Sequence, residues 1–342
     1  MARSVRILLV ADTHLGFDLP FKPRIQRRRR GHDFFANFER ALEPAMRGEV
    51  DLVVHGGDLF FRAKFPDALV EKAMEPLLQV AECGIPVYLV PGNHERSKIP
   101  LQIWTVHPNL HIFRQPGTFV CRLPQATIAL SGFPFARRVG DEFLGLVEAT
   151  NYKDAKADIH LLCIHQAVEG ASVGPSDYTF RRGSDVIRGC DIPHEFTAVL
   201  SGHIHRSQML THDLVNHPMP APVIYPGSVE RTAFAERFEE KHYVILNFDL
   251  PFGNQAPRVE VAFVPLPARP MRTLDINGES QDVRRLLGDL RRRLWSMDPE
   301  SIVKIRLNGK VNGDLSRHLS SSRLRDMAPE TMNISLRFLD DE

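Results

Sequence analysis

Residues 7–14 read Ile7-Leu8-Leu9-Val10-Ala11-Asp12-Thr13-His14, an apolar run that ends in a carboxylate and an imidazole. A continuous apolar run is typical of a strand that is buried on both faces of a parallel sheet. Asp12 and His14 are two residues apart just past this strand, so their side chains can converge on one metal ion. The stretch therefore predicts a buried first strand with a metal-binding pair at its end.

Strands and helices alternate after this stretch. Helical periodicity over 32–47 is followed by a strand over 51–55, a helix over 67–81 and a strand over 86–90. Such alternation predicts parallel strands joined by crossovers, with ligand sites beyond the carboxyl ends of the strands. Shorter strands continue to residue 264, interrupted by a helix over 142–150 and a polar loop that extends to about residue 192. We predict an α/β (α+β) fold with a two-layer, β-sandwich-like core and helices outside.

Polar clusters recur at the ends of the apolar runs, always beside or within predicted turns. In chain order they are Asp12 and His14, Gly57-Asp58, Gly92-Asn93-His94-Glu95, His165, and Gly202-His203-Ile204-His205. Each cluster alone is weak evidence, because a lone buried histidine is more often a core residue with satisfied hydrogen bonds. Together they supply seven oxygen and nitrogen donors: Asp12, His14, Asp58, Asn93, His165, His203 and His205. Seven donors with one shared carboxylate suit two divalent ions, and donors without thiolate suit manganese, iron or zinc.

The length of 342 residues predicts one large and one small domain. Three prolines, at positions 265, 267 and 270, mark the boundary. We therefore predict a domain over residues 1–265 and a small α+β domain over 266–342. No apolar stretch approaches the roughly 18 residues of a spanning helix, and the N-terminus lacks a secretory pattern, so we expect a cytoplasmic protein without membrane contact.

The formal net charge is only +1, so nucleic-acid binding would have to come from local basic patches. One candidate is a segment without clear periodicity that contains Arg24, Arg27, Arg28, Arg29 and Arg30. It is either a solvated loop or an arm that contacts phosphates. The arginines of the helix over 282–295 are likewise either a solvated face or a phosphate-facing surface. The four dispersed cysteines show no CxxC spacing and are predicted to be buried or half-buried thiols.

The strand-end motifs resemble those of the calcineurin-like metallophosphoesterase superfamily over roughly residues 5–250. The resemblance implies that one ion is bound by Asp12, His14 and His205, the other by Asn93, His165 and His203, and that Asp58 bridges them. It also implies that His94 faces the scissile phosphate. There His94 would donate a proton to the leaving oxygen or stabilise the developing charge.

A narrower resemblance is to the SbcD-type nuclease subunit of DNA double-strand-break repair complexes. It rests on Gly57-Asp58-Leu59-Phe60, on Pro226-Gly227-Ser228 and on the end of the small domain over 328–333. It implies a manganese-dependent DNA exonuclease and endonuclease, with the small domain as a cap that shapes DNA access. It also implies a homodimer and a long coiled-coil ATPase partner similar to SbcC, although this sequence ends before the helical tail by which relatives often bind the ATPase.

Two alternatives to a nuclease follow from the same residues. The metal set would equally serve a metallophosphoesterase that hydrolyses a nucleotide, a phosphoprotein or another small phosphate ester. A non-catalytic scaffold is the third reading, and the intact ligand set together with His94 argues against it.

Two residues depart from the pattern of the relatives. Phe61 occupies a position where relatives often carry a polar histidine or aspartate that orients the residue matching His94. A phenylalanine side chain cannot accept that hydrogen bond, so we expect His94 to lack its usual support. Glu95 stands where the nuclease subfamily more often has aspartate.

Overall fold

The computed structural model describes residues 3–18, 30–64, 66–95, 107–251, 256–279, 282–309, 315 and 318–339. The strands and helices are, in chain order, β1 (Arg3–Val10), α1 (Gly31–Met46), β2 (Leu52–His55), α2 (Asp67–Glu82), β3 (Val87–Leu89), β4 (Leu110–Ile112), β5 (Gly117–Arg122), β6 (Thr127–Gly132), α3 (Val139–Glu148), β7 (Ile159–His165), β8 (Ala167–Val168), β9 (Ser172–Val173), β10 (Tyr178–Thr179), β11 (Val186–Ile187), β12 (Ala198–Gly202), β13 (Gln208–His212), β14 (Pro218–Tyr225), β15 (Lys241–Leu250), β16 (Arg258–Leu266), β17 (Met271–Asn277), α4 (Val283–Trp295), β18 (Ile302–Asn308), α5 (Ser321–Asp326) and β19 (Asn333–Leu339).

The chain divides into two compact units. The first comprises Met1–Phe17, Asp33–Thr232 and Glu239–Pro267, and the second comprises Asp18–His32, Ala233–Phe238 and Ala268–Glu342. The boundary between residues 265 and 266, as a division into separate functional domains, stays a prediction.

Two six-stranded mixed sheets build the first unit. Their strand orders are β16-β15-β1-β2-β3-β4 and β13-β14-β12-β7-β6-β5. Strands β1 to β4 run parallel to one another, as do β6, β7, β12 and β14, and the outer strands are antiparallel. Because parallel strands end at the same edge of a sheet, the loops that follow β1, β2 and β3 come together, and so do those that follow β7 and β12.

The two sheets share one apolar core. Alternate residues of β1 (Val5, Ile7, Leu9) and of β7 (Ile159, Leu161, Cys163) belong to the same buried cluster. This period of two is what directs one face of each strand to the partner sheet. The remaining face of β7 packs with helix α3 in a second cluster. The prediction of a two-layer, β-sandwich-like core flanked by helices is therefore confirmed.

Helices α1 and α2 flank the first sheet. In α1 the ring of Phe38 meets His55, the last residue of β2, edge to face with 5.8 Å between ring centroids. Helix α2 contacts β3 and β4. In the described part of the chain, no helix is both long and apolar enough to span a membrane.

Some local predictions were wrong. The predicted polar loop after His165 contains four two-residue strands, β8 to β11. Strand β13 was not predicted, because it is an edge strand with mostly exposed or half-exposed residues. Cys121 and Cys163 are buried as expected, but Cys83 and Cys190 are exposed. Cys83 caps the C-terminus of α2 and Cys190 lies in a short turn, and both positions are outside the apolar stripes.

The second unit is built on a parallel three-stranded sheet in the order β17-β18-β19. One face of this sheet packs apolar residues such as Leu274, Val303 and Ile305 against Leu290 and Leu294 of α4. A sheet made of parallel strands is usually covered on both faces. Here the opposite face carries the cations Lys304 and Arg306 of β18.

Candidate metal centre

The loops after β1 and β2 extend the pairing of the two strands. Asp12 N donates to Gly57 O at 2.9 Å, and His14 N donates to Asp58 O at 3.0 Å. These backbone hydrogen bonds place three of the predicted ligands on adjacent segments at one edge of the sheet. Hydrogen bonds between main-chain atoms therefore fix the two segments that carry Asp12, His14 and Asp58.

A first group of donors consists of Asp12, His14 and His205. The Nε2 atoms of the two histidines are 3.0 Å apart, and each lies 4.0 Å from Oδ1 of Asp12. Burial lowers the pKa of His14 well below its ordinary value, so its imidazole is neutral. Two imidazole nitrogens this close present lone pairs to a common point, which is the arrangement that a metal ion requires.

A second group consists of Asn93, His165 and His203. Oδ1 of Asn93 lies 3.2 Å from Nε2 of His165 and 3.1 Å from Nδ1 of His203. Nδ1 of His165 donates to the carbonyl oxygen of Gly56 at 2.7 Å, which directs Nε2 towards Asn93. Burial lowers the pKa of His203 to about 3, so this ring is also neutral.

Asp58 lies beside members of both groups. Its Oδ2 is 3.5 Å from Nε2 of His165, and donor atoms of Asp12, Asp58 and His165 all lie within 4.8 Å of one another. Asp58 forms a further such group with His14 and His94. Burial opposes protonation of His165, but the Asp58 carboxylate outweighs it and raises the pKa of this histidine to about 9. The structure thus brings all seven predicted donors together, and their roles as ligands stay a proposal.

Four of these residues have left-handed backbone conformations. The φ angles are 50° for Asp12, 43° for His14, 51° for Asp58 and 84° for His203. Positive φ is uncommon outside glycine and costs on the order of 1–3 kcal/mol at each position, and such strain clusters at functional sites. The surrounding hydrogen bonds maintain it: both carboxylate oxygens of Asp12 accept from His203 N, at 3.1 and 3.0 Å.

His94 has a hydrogen-bond partner that the sequence did not indicate. Its Nδ1 lies 2.6 Å from the backbone carbonyl oxygen of Phe61, so this nitrogen donates its proton there. The main chain thereby does what the phenylalanine side chain cannot, and the expectation of an unsupported His94 was wrong. Nε2 points the other way and lies 3.7 Å from Oδ2 of Asp58. The backbone amide of His94 donates to Oδ1 of the same carboxylate at 3.0 Å.

Comparison with protein families agrees with this geometry. The model of the calcineurin-like phosphoesterase family matches residues 5–207, more than half of the chain. The chain belongs to the calcineurin-like phosphoesterase family.

Several known proteins are similar to this phosphoesterase. DNA double-strand break repair protein Mre11 of Methanosarcina mazei is 28% identical, in a match that covers 95% of this chain and 48% of that protein. Mre11 of Methanopyrus kandleri is 26% identical, with 82% and 62% covered. The chain therefore spans about half to three fifths of the length of these relatives. A dimetal phosphatase of Danio rerio is 13% identical and covers 75% of this chain and 98% of its own, with a TM-score of 0.45.

Glu95 connects two loops of the phosphoesterase site. Its Oε1 accepts from Phe60 N and its Oε2 from Gly92 N, both at 2.8 Å, so the carboxylate joins the loop after β2 to the loop after β3. Burial and the nearby Asp58 carboxylate raise the pKa of Glu95 to about 8. Burial also raises the pKa of Asp12 to about 6. Burial thus disfavours the charged form of both acids, and a bound cation nearby would favour it.

Gly92 permits the close approach of these loops. A Cβ atom at this position would collide with the backbone nitrogen and the Oδ1 atom of Asp58. We expect Gly92→Ala to destabilise folding by about 1–3 kcal/mol through overpacking and to weaken metal binding by displacing the carboxylate. The measurement is chemical denaturation of the metal-free chain together with calorimetric metal titration.

Gly145 provides the matched control for this prediction. It lies in helix α3 and is exposed, and a Cβ there would have no atom within 4 Å. Gly145→Ala should stabilise the protein by up to about 1 kcal/mol because alanine favours helix, with metal affinity unchanged. Equal stability changes in the two variants would contradict the steric role of Gly92.

Of the five arginines predicted to bind DNA, the structure describes only Arg30. Arg24, Arg27, Arg28 and Arg29 lie outside the described residues, and the backbone nitrogen of Arg30 donates to Oδ2 of Asp18 at 3.1 Å.

Sequence reasoning missed two further residues around the centre. Thr232 has its hydroxyl 3.3 Å from Nδ1 of His205, and Lys241 contacts the backbone of the same histidine. No local sequence pattern identifies either of them, because neither belongs to one of the polar clusters at the strand ends.

Proposed function

We propose that this phosphoesterase hydrolyses phosphodiester bonds of DNA with two divalent ions, most readily Mn²⁺. The proposal of hydrolysis rests on the convergence of the two groups of metal-type donors beside Asp58. The named function of the relatives, DNA double-strand break repair, supports DNA as the substrate. A basic groove in the second unit supports it independently.

The donor set fits two hard or borderline divalent ions. Asp12, His14 and His205 would bind one, Asn93, His165 and His203 the other, and Asp58 would bridge them. The 3.0 Å approach of the two imidazole Nε2 atoms and the raised pKa of buried Asp12 both fit a cation at the first position. Two bound ions supply charge neutralisation for the phosphate and activation of a water molecule.

His94 is positioned to act on the leaving group. Because Nδ1 donates to the carbonyl oxygen of Phe61, Nε2 faces the centre. In the imidazolium form, the Nε2 proton would pass to the leaving oxygen as the P–O bond breaks. The neutral ring that remains would keep its Nδ1 hydrogen bond to Phe61, so its orientation would be unchanged through the transfer.

The basic groove lies on the open face of the β17-β18-β19 sheet. It has a volume of about 550 Å³ and is lined by Arg237, Arg272, Lys304, Arg306 and Arg337, together with Phe234 and Phe238. The groove combines cations with aromatic rings, which is the combination that binds nucleic-acid backbone and bases.

Most of the positive charge in the groove is not neutralised by acids in the described surroundings. Arg306 forms a bidentate ion pair with Asp275, with both N–O distances at 2.7 Å. Lys304 instead lies 4.1 Å from the ring centroid of Phe234, and desolvation together with Arg337 and Arg237 lowers its pKa. The positive charges of these side chains repel one another, and a bound polyanion would relieve that repulsion.

We expect the double variant Lys304→Gln/Arg337→Gln to bind DNA more weakly. Each lost phosphate contact should reduce the slope of log affinity against log salt by about 0.7–0.9, and fluorescence anisotropy across a salt series measures it. The double variant Arg47→Gln/Lys153→Gln removes the same charge elsewhere, from ion pairs with Glu43 and Glu148. An equal change in both double variants would show that net charge, and not the groove, controls binding.

Nuclease assays test the proposed function directly. The full chain would be incubated with linear duplex, single-stranded and circular DNA and with bis(4-nitrophenyl) phosphate, each with Mn²⁺, Fe²⁺, Zn²⁺ or Mg²⁺. We expect degradation of DNA that depends on Mn²⁺. Hydrolysis of the small ester without any attack on DNA would favour the alternative, an esterase for nucleotides, phosphoproteins or other small phosphate esters. The homodimer, the SbcC-like ATPase partner and the cytoplasmic location remain predictions from the sequence.

A further inference from the structure

Lys241 begins strand β15 and is completely buried, with a relative exposure of 0%. Within the described ranges it is the only lysine that is buried in this way. Removing an ammonium group from water costs several kcal/mol unless its charge and its N–H groups are satisfied. A lysine at this position therefore has contacts that offset that cost.

Acceptors from three residues surround the ammonium group. Nζ donates to the backbone carbonyl oxygen of His205 at 3.0 Å and to Oγ of Ser228 at 2.9 Å, and it lies 3.4 Å from Oε2 of Glu239. Each of them can accept one of the N–H groups that lysine offers. The acceptors on His205 and Ser228 belong to the loop after β12 and the turn after β14, both next to the proposed metal centre.

The two loops are also bonded to each other and to β1. Ser228 N donates to His205 O at 3.1 Å, and Ser228 forms a parallel β-bridge with Ala11, the residue before Asp12. The turn is tight, because a Cβ atom on Gly227 would come within 2.7 Å of His205 O. Lys241 thus connects the backbone of one proposed ligand, His205, to the strand that carries two others.

Charge balance alone does not account for these contacts. Glu239 neutralises Lys241 and also pairs with Arg206, at 3.2 Å between Oε1 and Nε. Glu239 neutralises the charge, whereas the other N–H groups need acceptors of their own, and here these are His205 O and Ser228 Oγ. The hydrogen bonds to His205 and Ser228 are directional, and they act on the backbone position of a ligand.

We propose that Lys241 is a positioning residue that fixes the His205 backbone against Ser228 and β1, so that the His205 imidazole stays in register with Asp12 and His14. The Pro226-Gly227-Ser228 motif supplies the second anchor of the same contact. This inference rests on the proposed dimetal centre and specifies which of its two ion sites depends on Lys241.

The test is calorimetric titration of the metal-free full chain with Mn²⁺. For Lys241→Met we expect the site that contains His205 to lose about 10–100-fold in affinity, as for other residues that orient a ligand. The site that contains Asn93 should change by less than about threefold. His205→Ala and Asn93→Ala identify which binding event belongs to which site, and Lys153→Met, an exposed lysine paired with Glu148, is the control.

Two further variants guard against a purely structural explanation. Ser228→Ala leaves Lys241 in place and removes one acceptor, so it should weaken the same site by a smaller factor, and it decides the matter if Lys241→Met does not fold. In a His205→Ala background, Lys241→Met should no longer change Mn²⁺ affinity. Equal weakening of both sites, or no change at either, would overturn the positioning role. A parent chain that binds no Mn²⁺ would overturn the dimetal centre itself, and the inference with it.

Discussion

Replacing Asp58 with alanine is expected to abolish binding of both ions and to lower phosphodiester hydrolysis by at least about 10³-fold, because the metals supply several kcal/mol of transition-state stabilisation. Asp58 lies within reach of both donor groups: its Oδ2 is 3.5 Å from Nε2 of His165, and it clusters with His14 and with Asp12. Its loss should therefore differ from the loss of a ligand to a single ion.

Calorimetric titration with Mn²⁺, paired with rate measurements on DNA, distinguishes these cases. Asn93→Ala should weaken one binding event, and Asp58→Ala should weaken both. Asp141→Ala is the matched control, because Asp141 is exposed and its carboxylate forms a surface ion pair with Arg138 at 2.7 Å. Two tightly bound ions in Asp58→Ala would contradict the bridging role.

His94→Gln should have the opposite signature. We expect its rate on DNA to fall by about 10²–10⁴-fold, the usual contribution of a positioned proton donor, while both ions stay bound. Glutamine can still donate a hydrogen bond to the carbonyl oxygen of Phe61, but it cannot transfer a proton. Metal content by elemental analysis and single-turnover rates are the measurements.

The leaving group separates the two roles that His94 could have. Nitrophenolate leaves without protonation, so a proton donor should matter much less for bis(4-nitrophenyl) phosphate than for DNA. An equal loss on both substrates would indicate charge stabilisation instead of proton donation. Loss of an ion from His94→Gln would make His94 a ligand, which its position near His14 and Asp58 allows geometrically. His217→Gln, at an exposed histidine, is the control.

The convergence of the seven donor residues could be predicted from the sequence because each lies at or just after the end of an apolar strand. The strands β1, β2, β3, β7 and β12 are short apolar runs, and the parallel arrangement of the sheets brings their ends together. The sheet therefore brings together residues that are far apart in the sequence but follow similar apolar runs. Predicting the strands therefore placed Asp12, Asp58 and His165 at neighbouring sheet edges.

Contacts made by the backbone could not be predicted in the same way. The support of His94 by the carbonyl oxygen of Phe61 is independent of the side chain at position 61, so the residue type gave the wrong answer. Lys241 approaches His205 across 36 positions of sequence, and a lone lysine at the start of a strand has no distinguishing pattern. The positions of Lys304 and Arg306 on one face of the sheet could have been predicted, because they are the polar residues of a strand in which apolar and polar residues alternate.

The left-handed backbone at Asp12, His14, Asp58 and His203 would limit which metals the proposed centre could be redesigned to prefer. Aspartate, asparagine and histidine tolerate positive φ better than other residues with side chains. Cysteine or glutamate introduced to favour a softer or larger ion would pay a conformational penalty before any coordination bond formed. The backbone conformation thus restricts which residue types could replace the proposed ligands at these four positions. Asn93, His165 and His205 do not have positive φ, so substitutions that change the metal preference are better tolerated there.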